Sequence, residues 1–234
     1  ALVSSRIGKR MRLLGIEDHG EYLKRVNEDR EGHELTHLLD AISTNVTHFF
    51  RESDHFDLLG ELVQKWTAEG RKRLRLWSAA CSTGQEPYSM AMTLLETAGD
   101  KGLNMRILAT DISTRALEAA RQGIYPNEKM KGIPGGLRGR YFSRNKDGEN
   151  TRWAASNKLK RMVLYRRLNL STPPFPMSGP LDVVFCRNVM IYFDAPVRLA
   201  LLREVERLVR PGGYLLLGHA ESLTGLGINM KYVQ

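Results

Sequence analysis

The sequence predicts an α/β fold: a largely parallel sheet with flanking helices, a small helical domain before it and an inserted antiparallel β-subdomain within it. Three observations carry this. Short apolar strands alternate with amphipathic helices across residues 74–122 and 162–221, and strand–helix repeats of that length build βαβ units. Residues 1–69 carry apolar side chains at helical spacing with no strand-like run. Residues 123–161 are Gly-rich, basic and poorly periodic, and a stretch that long is more than a plain loop in a compact domain. The expected domains are therefore 1–69, helical with a linker, and 70–234, the α/β unit, with 123–161 inserted in it.

Each element has its own signal. In the helical region Leu35, Leu38, Leu39 and Ile42 repeat at helix spacing, as do Phe56, Leu59, Val63 and Trp66. Residues 74–80 (L-R-L-W-S-A-A) form a short apolar strand, and Pro87 in a first turn opens a helix carrying Tyr88, Ala91 and Leu95. Residues 105–110 are the next strand, and Ser113 N-caps a helix with Ala116, Leu117 and Ala120. Within the insertion, antiparallel strands are expected around Tyr141-Phe142 and Trp153. Leu181–Cys186 is a buried strand, and Asp194 caps a helix with Val197, Leu201, Val205 and Leu208 on one face. Pro211-Gly212-Gly213 is a turn before a last strand at 214–217.

Composition narrows the function classes. The 234 residues are 42% apolar and 26% charged, which suits one large core plus an appendage and excludes wholesale disorder. There is no apolar run of about 18 residues for a membrane-spanning helix. The start, Ala1-Leu2-Val3-Ser4-Ser5-Arg6, lacks Met and is too short and basic for a signal peptide. Cys81 and Cys186 form no C-x-x-C, which excludes a disulfide scaffold and fits a reducing cytoplasm. The net charge is +9, and residues 129–167 alone hold twelve Lys/Arg against Asp147 and Glu149. Residues 1–15 add Arg6, Lys9, Arg10 and Arg12 with no acid. Such concentration suits an acidic partner, the plainer alternative being a solvated basic surface.

In an open α/β sheet a ligand lies beyond the carboxyl ends of the strands, so the loops there hold the candidate chemistry. The loop 79–87 (A-A-C-S-T-G-Q-E-P) joins the first strand to a helix, with Gly84 its single glycine. That departs from the G-x-G-x-x-G of a dinucleotide site. Ala79, Ala80 and Ser82 permit close approach. Glu86 near the helix start repels phosphate but suits an amino group or a sulfonium, which favours S-adenosylmethionine over a nicotinamide. An ordinary tight βα turn is the alternative. Asp111, 27 residues past Gly84, can accept from both ribose hydroxyls or merely cap a helix. Asn169 and Leu170 can give adenine a hydrogen-bonding edge and an apolar wall, or just begin a turn. Arg187 and Asn188 are polar residues in the apolar run F-C-R-N-V-M-I-Y-F, where burial would demand partners. The stretch S-T-N-V-T-H-F-F-R-E at 43–52 gathers hydroxyls, an amide, aromatics and Arg51, which suits a lid more than a plain helix.

Taken together these stretches resemble the CheR family of chemotaxis receptor methyltransferases. The matches are 43–52 above, W-S-A-A-C-S-T-G-Q-E-P-Y-S at 77–89, A-T-D-I at 109–112, F-C-R-N-V-M-I-Y-F-D at 185–194 and R-P-G-G-Y-L-L-L-G-H-A-E-S at 210–222. Both ends look shorter than the family's pattern, and Gln85 stands where an acid is common. The resemblance implies a Rossmann-like class I S-adenosylmethionine-dependent methyltransferase. It would methylate glutamate side chains of chemoreceptors and release S-adenosylhomocysteine. Carried onto this sequence, the cofactor-binding positions are Asn45, Thr47, Arg51, Ala80, Glu86, Asp111, Asn169, Leu170, Asn188 and Val189.

Arg51 and Tyr192 are the expected catalytic pair, the guanidinium holding and the phenol orienting the acceptor carboxylate. Arg6, Arg10 and Arg12 are expected to face the acidic receptor helices. The insertion corresponds to the family's β-subdomain, which in some members docks the receptor's C-terminal pentapeptide, with members differing around 145–149. A cytoplasmic monomer without membrane insertion is expected. A carboxylate needs no strong base, which fits the absence of a Ser-His-Asp or Cys-His pattern. His48, His55 and His219 show no ligand-like spacing with acids or cysteines, so no metal is expected. A nucleic-acid methyltransferase, suggested by the basic balance, is disfavoured: Thr172-Pro173-Pro174-Phe175 lacks an Asn or Asp before the prolines and precedes the central strand. A non-catalytic cofactor sensor is disfavoured by the presence of Arg51, Asp111 and Tyr192.

Overall fold

The computed structural model describes residues 2–99, 102–147, 150–223 and 227–231. Four helices open the chain: α1 (Leu2–Leu14), α2 (His19–Glu28), α3 (His33–Ile42) and α4 (Asp54–Ala68). The first three enclose a small core of Ile7, Met11, Ile16, Tyr22 and Val26. That core is tied by one polar knot. Arg10 gives Glu34 two hydrogen bonds, at 2.9 and 2.6 Å, and the buried Tyr22 hydroxyl donates to the same carboxylate at 3.0 Å.

Sequence patterning groups α4 with these helices, but packing does not. Phe56, Leu59, Leu62, Val63 and Trp66 of α4 belong to the large core under the sheet. The break in packing thus falls in the non-helical segment between α3 and α4, upstream of residue 69.

The α/β unit continues with β1 (Arg73–Ser78), α5 (Gln85–Ala98), β2 (Asn104–Asp111) and α6 (Thr114–Gln122). The insertion follows: β3 (Ile124–Pro126), a 3₁₀ turn, α7 (Gly135–Tyr141), β4 (Phe142–Asp147), β5 (Asn150–Ala155) and α8 (Asn157–Lys160). The chain returns through β6 (Val163–Arg167), β7 (Leu181–Cys186), a 3₁₀ turn at Met190–Tyr192, α9 (Ala195–Leu208) and β8 (Val209–Leu217). Five strands pair in the order β6-β2-β1-β7-β8, every pairing parallel, and three form an antiparallel sheet in the order β3-β5-β4.

The local causes are visible. All six residues of β7 are buried, as a strand covered on both faces requires. The Ser113 hydroxyl accepts from Ala116 N at 3.1 Å, and Asp194 accepts from Val197 N at 3.0 Å, so both predicted caps form. Gly84 has φ 94°, and a Cβ there would lie 2.9 Å from both Ala120 Cβ and the Tyr125 hydroxyl. Only glycine fits that turn into α5.

Two details escape the apolar pattern. β6 lies at the sheet edge and exposes Leu164, Arg166 and Arg167, and the two arginine charges discourage edge pairing. β8 begins before its predicted turn. Leu181 pairs with Val209 and Val183 with Tyr214, so 210–213 bulge out with Gly212 at φ 70°.

Strand order reverses beside β1. The chain runs outward through β2 to β6, then restarts on the other side with β7 and β8. The carboxyl ends of β1 and β7 therefore diverge into a crevice, where such folds bind ligands.

Candidate active site

A cavity of about 440 Å³ opens at that switch point. Segment 43–51, between α3 and α4, covers it with Asn45, Thr47 and Arg51. The loop after β1 contributes Ala80 and Ser82, the first turn of α5 contributes Glu86, and the end of β2 contributes Asp111. Asn169 and Leu170 come from the loop after β6, and Asn188, Val189 and Tyr192 from the turn after β7. The fold thus brings around one cavity the ten positions expected to hold cofactor, together with Tyr192. Arg6, Arg10 and Arg12 do not line it.

Asp111 is held by backbone N–H groups on both carboxylate oxygens. Its Oδ1 accepts from Ser113 N at 2.9 Å, which fixes the entry to α6. Its Oδ2 accepts from Ser82 N at 2.8 Å, which fixes the loop after β1. Burial pushes its pKa up, against the pull of those backbone N–H groups. Asn169 is also a turn residue: its side-chain oxygen accepts from the backbone and hydroxyl of Ser171, at 3.1 and 2.8 Å.

Glu86 is almost enclosed. Ser78 Oγ donates to it at 2.7 Å and Arg187 Nη1 at 3.1 Å. Burial still raises its pKa, opposed chiefly by Arg187. Arg187 itself is a hub with 1% of its side chain exposed. It also donates to Glu52 Oε2 at 2.9 Å and to the carbonyl oxygen of Arg51. One buried guanidinium therefore ties the covering segment to the sheet. Arg51 remains one-third exposed, and its Nη1 donates to Val46 O at 3.2 Å.

Left-handed backbone concentrates here. Phe50, Glu52, Ser82 and Asn188 have φ of 52°, 54°, 48° and 56°. Two of these line the cavity and the other two flank Arg51. Such conformations are uncommon outside glycine and cluster where surrounding contacts over-determine the backbone.

His55 and His219 lack ligand-like spacing in the sequence, yet β8 delivers His219 beside α4. Their rings lie 5.4 Å apart, and with Glu52 they place one donor atom each within 4.8 Å of one another. Glu52 is already engaged by Arg187 and, at 3.2 Å, by Asn188 Nδ2, while His219 Nε2 lies 3.1 Å from Asp54 Oδ2. Arg187 thus has the partners that its burial demands, and Glu52, one of them, is a structural member of the site whose role the linear pattern does not reveal.

Comparison with known proteins gives the family. Residues 45–234 match the family model for the CheR methyltransferase SAM binding domain, and residues 1–43 match that for the CheR all-alpha domain. The chain belongs to the CheR methyltransferase family. It is 42% identical to Chemotaxis protein methyltransferase 2 of Pseudomonas aeruginosa, over 94% of this chain and 78% of that one. It is 38% identical to the Chemotaxis protein methyltransferase of Borreliella burgdorferi over 99% and 83%, and 38% identical to that of Escherichia coli over 96% and 77%. A solved DhpI–SAH complex aligns over 70% of this chain and 57% of its own, at 16% identity and TM-score 0.38, too distant to carry an argument.

As a member of that family, the chain is a methyltransferase that uses S-adenosylmethionine. The cavity's chemistry suits that molecule: two buried carboxylates for a sulfonium, an amino group and ribose hydroxyls, and apolar walls such as Leu170 and Val189 for a base.

Proposed function

We propose that this chain methylates glutamate side chains of chemoreceptors, giving glutamyl methyl esters and S-adenosylhomocysteine. The observation that carries the reading is the polarity of the cavity. Glu86 and Asp111 line its interior, while Arg51 and Tyr192 stand at an exposed mouth, Tyr192 being 62% exposed. Asn45, Thr47, Glu86, Asp111, Asn169, Leu170, Asn188 and Val189 hold the cofactor. Bound S-adenosylmethionine supplies an activated methyl group: an acceptor carboxylate oxygen bonds to the methyl carbon as the carbon–sulfur bond breaks, and that electron pair passes to sulfur. The acceptor is ionised at neutral pH, so the protein supplies no strong base. It supplies alignment and exclusion of water. Arg51 holds the acceptor carboxylate through its planar fork, and Tyr192 orients it with its hydroxyl.

The receptor meets the protein elsewhere as well. Two of the three N-terminal arginines are committed internally: Arg10 to Glu34, and Arg6 to Ile42 O and Thr44 Oγ1 at 2.7 and 2.9 Å. Arg12 is exposed and is the one of the three we assign to acidic receptor helices. In the smaller sheet β4 is an edge strand, to which an extended C-terminal receptor peptide can add. In the adjoining loop, 148 and 149 lie outside the described residues. No helix among the described residues is long and apolar enough to cross a membrane. The reading places the chain, as a monomer, in the cytoplasm with the receptor's signalling domain.

The test uses methyl-tritiated S-adenosylmethionine and membranes carrying chemoreceptors. Base-labile label on the receptor, released as methanol, is expected. Label that resists alkali, or no transfer by a protein that binds the cofactor, would sink the proposal.

A further inference from the structure

The turn after β7 carries Asn188 and Val189 into the cavity and runs on to Tyr192. Asn188 is in the left-handed region, at φ 56°, so this turn needs an external hold. Beside the bond from Asn188 Nδ2 to Glu52 at 3.2 Å, a side chain beyond β8 provides it at the backbone. Glu221 Oε2 accepts from Asn188 N at 2.7 Å and Gly218 N at 2.8 Å. Its Oε1 accepts from Val189 N at 3.0 Å and Met190 N at 2.8 Å. An ionised carboxylate can accept all four bonds at once. The packing leaves no slack on the far side: a Cβ on Gly218 would lie 2.5 Å from Asn188 Nδ2.

We propose that Glu221 is a positioning residue for cofactor binding, acting through the backbone of Asn188, Val189 and Met190. This rests on the reading that Asn188 and Val189 hold S-adenosylmethionine. The carboxylate stitches the ends of the adjacent strands β7 and β8 together, and the cofactor then meets a turn already in its binding shape. Glutamine is the informative replacement. It matches glutamate in size, but whichever way its amide is turned, the NH₂ faces two backbone N–H donors. Two donors then lose their acceptor in a partly buried place. Aspartate keeps the charge on a shorter arm and reaches part of the set.

The experiment measures S-adenosylmethionine binding by calorimetry for the parent, E221Q and E221D, each at a temperature where circular dichroism shows it folded. E221Q is expected to bind at least tenfold more weakly and E221D to fall between the two. A purely structural role would lower the melting temperature and leave the affinity of folded protein unchanged. Affinity of folded E221Q within twofold of the parent therefore overturns the inference. Failure of the parent itself to bind would instead overturn the reading of the site. Amide hydrogen exchange on the cofactor-free parent tests the same claim without a variant. Slow exchange at 188–190 and 218 is expected. Exchange there as fast as in an unprotected loop overturns the inference even where E221Q does not fold.

Discussion

Glu86 and Asp111 line one cavity, and burial raises the pKa of both. In the cofactor-free protein this opposes folding once they ionise, because a folded-state pKa above the unfolded value loses stability as pH rises through it. A cationic ligand with hydroxyls to donate favours the ionised forms, so binding releases protons wherever these groups are still partly protonated. Affinity for S-adenosylmethionine is therefore expected to rise with pH across the upper carboxylate range and to level off by neutrality. Calorimetry in two buffers of different ionisation enthalpy checks this; no proton release on the acid side would count against it. E86Q should lose most of that pH dependence and bind about tenfold more weakly, near the cost of one charged hydrogen bond, about 1.5 kcal/mol. These two acids are legible in the sequence because each lies close to the carboxyl end of a strand, Glu86 in the first turn of α5 and Asp111 at the end of β2. Arg187 is legible as a buried polar residue but its partners are not, and Glu52 and Glu221 are not legible at all, since their meaning lies in partners far along the chain. Glu52 and Arg187 are 135 positions apart, and Glu221 reaches back 33 to Asn188.

The caps and strand ends that aim those residues act one level up. Ser113 starts α6 with its hydroxyl, while its backbone N–H serves Asp111. S113A removes the first contact and keeps the second. It is expected to cost about 1 kcal/mol in urea denaturation and to change cofactor affinity less than threefold. A large loss of affinity would mean that the cap itself shapes the site. The elements that could be read in advance share a feature: β1, β2, β7, α6 and α9 show their burial in their own periodicity or caps. β6 does not, because an edge strand buries one side chain in five here and spends the rest on solvent. The allegiance of α4 is hidden for a different reason. Its apolar stripe does not name a neighbour, and the turn at 49–53, with Phe50 and Glu52 at φ 52° and 54°, precedes its entry into the core under the sheet.

At the scale of the molecule, charge and stability pull the N-terminal arginines apart. The chain carries +9, and a protein so basic gains electrostatic steering toward an acidic partner that weakens as salt rises. Arg12 is free to contribute. Arg10 is not, because it neutralises Glu34, whose side chain is 7% exposed. The hydrogen bond from Arg10 holds the Glu34 carboxyl below the usual carboxylate range. A depressed carboxylate contributes stability above its unfolded pKa and loses it as pH falls through the folded value, so α1–α3 should loosen in acid. R10E puts a second carboxylate against a nearly buried one. It is expected to destabilise this helical core by up to about 3 kcal/mol, with any loss of methylation following the loss of folded protein. R12E leaves that core intact and should melt like the parent. It is expected to raise KM for the receptor severalfold at low ionic strength, to do so less at high salt, and to leave affinity for S-adenosylmethionine unchanged. Steady-state kinetics at two salt concentrations, beside melting curves for both variants, separates the roles. If R12E kept the parent's receptor KM at low salt, the N-terminal surface would not be where the receptor binds, and the basic insertion would become the remaining surface to test.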